Sequence, residues 1–263
     1  MFEWKRASAV IQRAAATSDV TWMIASNGIK YRYKRSVLGP FWITISQAIY
    51  ILALAVVFGG LFKMRDVDFI PFLTIGILLW AAATACMQES STTILHRGGE
   101  LKDGANNCVS LVLEVVFRNL IVFLHHIVVF VCVAIYYKVH PNVLGLLMLI
   151  PASAIFIINV FWISGILSLL IPRFRDLEPL VFSLIQIGFF VTPIMWHPSL
   201  LKEKEYLIHY NPCFHLLAII RDPLLGEAYP FVSFGIVSIM AILGMAAYYF
   251  VLSRTVTRLP YWV

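Results

Sequence analysis

Four cations, Lys30, Arg32, Lys34 and Arg35, are interleaved with Tyr31 and Tyr33. A guanidinium fork matches phosphate geometry and an ammonium supplies a point charge, so this set can hold a phosphorylated headgroup, with Arg32 and Arg35 the better placed by type. The same cations could instead only anchor the chain to anionic lipid, at about 1 kcal/mol each. The next residues fix the setting: Leu38-Gly39-Pro40, then an apolar run without a charge as far as Phe62. The strip is therefore a basic, aromatic surface placed where the chain enters a membrane.

No other set of residues has the spacing of a reacting centre. Cys86, Cys108, Cys132 and Cys213 form no C-x-x-C pair and read as free thiols. Adjacent His125 and His126 would point about 100° apart on a helix, and His209 and His215 lack zinc spacing. No metal site and no catalytic residue is expected. Asp103, Asp176 and Glu178 are sparse and unpaired, which argues against a membrane glycosyltransferase or polymerase. A phosphate-binding G-x-x-x-x-G-K-[ST] loop is absent from the sequence, so energy for transport would come from a partner or an ion. Glu114 and Arg118 stand four apart and can neutralise each other on one helical face. Asn159 and Gln186 are expected to bond neighbouring helices.

The elements that position these residues can be read from composition. The chain has 263 residues, 60% hydrophobic and 13% charged, against about 25% charged in ordinary globular proteins. That excludes a soluble domain and predicts an all-α polytopic membrane protein. The net charge of +6 is not a nucleic-acid signal, because the cations flank apolar runs. Met1–Asn27 reads as an amphipathic interface helix, with a break at Gly28, and its charges argue against a cleaved signal peptide. Six spans are expected: Pro40–Phe62, Ile70–Met87, Val109–Tyr137, Val143–Ile171, the short Leu180–Met195, and Phe231–Leu252. Glu89–Asn107 reads as a loop or short surface helix. Trp196–Tyr229, split by Asn211-Pro212, reads as two short re-entrant helices. Lys5, Arg6, Arg13, the strip, Arg97, Lys102, Arg173, Arg175, Arg254 and Arg258 fall on one side. Lys63, Arg65, Lys138, Lys202, Lys204 and Arg221 fall on the other. The first side is taken as cytoplasmic, with both termini inside.

YRYKRSVLGPFW before the first span, RFRDLEP after the fourth, TPIMW ending the fifth and the Asn-Pro segment before the sixth make the chain resemble a known family. It is similar to the transmembrane (permease) subunit of bacterial ABC-2-type polysaccharide exporters, which carry O-antigen, capsule or teichoic acid. The resemblance covers nearly the whole chain as one domain, residues 1–38 as interface and gate and 39–263 as the six-span bundle. It implies a homodimer in the bacterial inner membrane, paired with two copies of a cytoplasmic ATPase that binds ATP and Mg. The substrate it implies is an undecaprenyl-pyrophosphate-linked polysaccharide.

By the same resemblance, Lys30, Arg32, Lys34, Arg35, Leu38 and Gly39 form a gate that meets the carrier pyrophosphate. His96, Arg97, Glu100, Lys102 and Asp103 fall in the loop that contacts the ATPase, although this loop has mixed charge and lacks the basic Phe-Pro stretch of many relatives. Spans one and five line the channel, which places Tyr50, Phe58, Phe189, Phe190 and Trp196 as candidate lining aromatics. Sugars present apolar C–H faces to such rings. An ABC-2 exporter of a drug or small hydrophobe shares these features and stands as the alternative.

Overall fold

Apolar runs of this length can satisfy their backbone N–H and C=O groups in lipid only as helices or closed barrels. Among the described residues the chain is helical, with no strand. A computed structural model describes every residue except Met1, Phe2, Tyr33, Arg35, 63–65, Ala105 and Asn142, and only the backbone of 61–62, 66, 199 and 202–205.

Among the described residues the α-helices run in order: α1 Trp4–Ala16, α2 Ser18–Arg32, α3 Phe41–Phe62, α4 Asp66–His96, α5 Gly98–Lys102, α6 Cys108–Tyr136, α7 Val143–Leu170, α8 Leu177–Val191, α9 Pro212–Leu224 and α10 Phe231–Thr255. A 3-10 segment, Pro198–Tyr210, precedes α9, and another, Leu259–Tyr261, comes after α10. Helices α3, α4, α6, α7 and α10 are long and apolar enough to cross a membrane. The chain is a multi-pass integral membrane protein. Of the six expected spans, five have this length; the fifth in sequence, α8, has only 15 residues, about 23 Å at about 1.5 Å per residue.

Helix α4 is the central post. Phe69, Leu73, Ile75, Leu78 and Leu79 are fully buried along it, packed against α6, α7 and α9. It outruns the expected span of Ile70–Met87 and continues to His96. The polar turn beginning at Glu89 stays helical because Glu89 finds partners on α6: Arg118 Nη2 at 2.7 Å and Asn119 Nδ2 at 2.8 Å. Helices α7 and α10 approach closely at glycines, Gly165 under the Tyr248 ring and Gly244 under the Trp162 indole. Asn159 binds α10 as expected, donating to the Val237 carbonyl at 3.1 Å.

The N-terminal part differs from the single helix read from sequence. It is two helices broken at Thr17, whose N–H and hydroxyl both return to the Arg13 carbonyl, at 3.1 and 2.9 Å. Ser18 and Asp19 then open α2, where a carboxylate suits the N-terminal dipole. Gly28 makes no break, because α2 continues through it; Thr21, Ala25 and Ile29 form a buried stripe facing α6, and packing offsets the propensity cost of one glycine.

Both chain ends lie at one end of the bundle. Glu3 N–H donates to the Ser253 carbonyl at 3.0 Å, and Lys102 Nζ to the Val263 carbonyl at 2.6 Å. The Arg173 guanidinium between α7 and α8 lies 5.7 Å from the Trp262 ring, at this same end. At the opposite end, Asn211 caps α9 by accepting from Cys213 N–H at 2.9 Å, with Pro212 in its first turn.

Candidate functional site

Three sets of side chains stand out. The first is the basic strip. Lys30 and Arg32 occupy the last turn of α2, where cations complement the helix dipole, and both are exposed. Lys34 sits in the turn beyond, its ammonium 5.9 Å from the centre of the exposed Tyr31 ring. Tyr33 and Arg35 lie outside the described residues. Leu38 is exposed, and Gly39 has φ of +57°, the left-handed conformation that suits glycine. This turn leads into α3, with the Trp42 N–H donating to the Gly39 carbonyl at 3.3 Å. The described members of the strip, Lys30, Tyr31, Arg32 and Lys34, are exposed ahead of α3.

The second set is a groove of about 590 Å³ between α3, α4 and α8. Tyr50, Phe189 and Phe190 line it, joined by Trp80 and Phe182. Between the rings stand three amides, Gln47, Gln88 and Gln186, with the hydroxyls of Thr84 and Ser183. No ionised side chain is among these lining residues. Phe58 is elsewhere, partly buried against the central core. Trp196 is elsewhere too: its Nε1–H donates to the Phe190 carbonyl at 3.1 Å and so satisfies the end of α8. Gln186, read from sequence as a link between helices, faces the groove instead. Trp80 escapes a reading of the sequence because nothing in α4 alone says which face α8 leaves open.

The third set reaches from α5 into the bundle. Arg97 grips Glu100 with Nε and Nη2 at 2.6 and 2.8 Å, and its Nη1 reaches Glu114 at 2.6 Å. Arg118 binds Glu114 at 3.1 Å and Glu89 at 2.7 Å. The hydrogen bond from Arg97 holds the Glu100 carboxyl below its ordinary range, and the two carboxylates raise Arg97 further against the cost of its burial. Of the five loop residues named from sequence, Arg97 and Glu100 thus face this network. His96, Lys102 and Asp103 remain exposed. The Glu114–Arg118 pair was legible at its four-residue spacing; its extension to α4 and α5 was not.

Sequence reading also missed Arg221. It is 2% exposed on α9, bonded to Asp222 Oδ1 and to the Pro193 carbonyl, both at 2.9 Å, and its guanidinium lies 4.4 Å from the Phe72 ring centre. A lone arginine in the apolar run FHLLAIIR was the available signal. Among the described residues no three His, Cys, Asp or Glu are arranged to hold a metal ion.

The profile of the ABC-2 type transporter family matches residues 19–225, from the start of α2 to just past α9. An O-antigen export system permease protein RfbA from Klebsiella pneumoniae is 26% identical over 236 residues, covering 88% of this chain and 91% of that protein. A second protein of that name and organism is 27% identical over 206 residues, covering 78% and 79%. One from Myxococcus xanthus is 23% identical over 220 residues, covering 81% and 84%. The family match takes in the strip, the groove and the α5 network together, and with five long apolar helices around them the chain belongs to the ABC-2 type transporter family of membrane proteins.

Proposed function

We propose that the chain is the membrane-spanning subunit of an ATP-driven exporter that moves an undecaprenyl-pyrophosphate-linked polysaccharide, with O-antigen as the cargo, across the bacterial inner membrane. The groove carries this reading. Aromatic rings offer faces to the apolar C–H surfaces of sugars, amides and hydroxyls exchange hydrogen bonds with their hydroxyls, and the lack of charge suits a neutral polymer that must keep moving. A small hydrophobe would have no use for three glutamines along its path. The names of the relatives from Klebsiella pneumoniae and Myxococcus xanthus agree with this cargo.

The groove is open on one side. Helix α8 has no buried residue, and α3 exposes Ile49, Leu52 and Val56. A second copy set against these two helices closes the groove into a channel, with α8 serving as the sixth span. Both termini then face the cytoplasm, where α5 meets one of two copies of the ATPase that bind ATP and Mg, with the basic strip on the same side of the membrane. Residues 1–38 act as the gate, and Lys30, Arg32, Lys34 and Arg35 receive the carrier pyrophosphate before the sugar chain enters the groove. His96, Lys102 and Asp103 are the exposed side chains of the α4–α6 connection that meet the ATPase.

Deleting the gene tests the reading. Surface glycan is expected to disappear while lipid-linked polymer accumulates inside the cell, and the Arg32→Ala/Arg35→Ala double variant, though inserted and assembled, is expected not to restore export. Unchanged surface glycan after deletion, with loss of resistance to a small hydrophobe, would favour the drug-exporter alternative.

A further inference from the structure

Glu114 is 5% exposed and is the one carboxylate among the described residues that touches both Arg97 and Arg118. Its oxygens accept from Arg97 Nη1 at 2.6 Å and Arg118 Nη1 at 3.1 Å. Glu114 thus ties the α4–α5 junction at Arg97 to α6, and pulling the two apart would break a charge-assisted bond of 2.6 Å at a carboxylate held inside the bundle. By contrast, the Lys102 bond to the Val263 carbonyl is exposed and can be exchanged for water. On α6, the neighbour of Arg118 is Phe117, whose ring meets Trp22 of α2 edge-on with centroids 5.4 Å apart. Helix α2 ends in the basic strip.

We infer that Glu114 is a positioning residue that makes α5, α6 and α2 move as one, so that displacement of the α4–α6 connection reaches the basic strip through its carboxylate. The inference rests on the proposed function for the source of the displacement, an ATPase seated against α5, but not on the identity of the cargo. A neutral isostere isolates it cleanly. In Glu114→Gln, Arg97 keeps Glu100 and Arg118 keeps Glu89, so each half remains a neutral pair and only the bridge between them is weakened.

The test uses the assembled transporter in proteoliposomes, with a fluorophore on Met23→Cys, an exposed position of α2, in a chain carrying Cys132→Ser and Cys213→Ser. With Glu114 present, ATP is expected to produce a fluorescence change at α2. Glu114→Gln is expected to reduce that change at least tenfold while the complex still assembles, hydrolyses ATP and melts at an unchanged temperature. Glu114→Asp, which keeps the charge, is expected to retain the signal. An undiminished signal in Glu114→Gln, a loss of signal accompanied by an equal loss of assembly or melting temperature, or no ATP-dependent signal in the parent would each overturn the inference. A parent complex that moves α2 but exports no glycan would remove the proposed cargo and leave the role of Glu114 standing.

Discussion

Arg221 is the most fully enclosed charge among the described residues, and its surroundings explain how it is tolerated. Asp222 supplies the counter-charge at 2.9 Å, the Pro193 carbonyl takes a second N–H, and the faces of Phe72 and Phe214 take the flat guanidinium at 4.4 and 5.6 Å. One side chain thereby fastens α9 to the end of α8 and the start of α4. Arg221→Met is expected to strand Asp222 and to destabilise the protein by about 3–5 kcal/mol, the range for breaking a buried pair. Arg221→Lys is expected to recover little of this, because an ammonium cannot serve both acceptors and stack. Thermal melting in detergent measures both. By sequence alone Arg221 falls with the outward-facing surface cations; that its partners are Phe72 and Pro193, far apart along the chain, is a fact of tertiary packing. Glu114–Arg118 was legible because a single helix supplies both members, whereas Arg97 joins them only once α4, α5 and α6 are folded together.

At the scale of elements, the close α7–α10 crossing rests on two small residues. A Cβ at Gly244 would run into the Trp162 indole, and one at Gly165 would come within 2.5 Å of the Tyr248 ring. Gly244→Ala and Gly165→Ala are each expected to cost about 1–3 kcal/mol, as overpacked cores do. Gly235→Ala, on the same helix α10 with nothing within 4 Å, is expected to be neutral or slightly stabilising. Unfolding of the three variants side by side checks the contrast. The long helices were readable because hydrocarbon leaves an uncharged run of about twenty residues few other conformations. The division at Asn211-Pro212 was readable because proline interrupts an apolar run, although the piece before it is a 3-10 segment, Pro198–Tyr210. The break at Thr17 and the continuation of α4 past Glu89 were not, since the first depends on a side chain returning to its own helix and the second on partners across the bundle.

For the whole molecule, the proposed pairing of two copies across the exposed faces of α3 and α8 predicts the state of assembly. In lipid nanodiscs, native mass spectrometry is expected to find a species of twice the 29.8 kDa of one chain; a lone copy that still supports export would remove the shared channel. The helical, multi-pass architecture was legible in the apolar runs. The groove was legible only in part: three of the five aromatics named from sequence line it, but Trp80 and the three glutamines were fixed by how α8 leans on α4. The shortness of α8 has a consequence of its own. At about 23 Å it falls short of a hydrocarbon layer of about 30 Å, and such mismatch is relieved by local thinning of the bilayer or by protein covering the deficit. In the proposed channel, where α8 is the sixth span, thinning would make the membrane shallowest beside the same helix that furnishes Phe189, Phe190 and Gln186, and a hydrophilic polymer passing there would shed its water over the shortest distance the molecule offers.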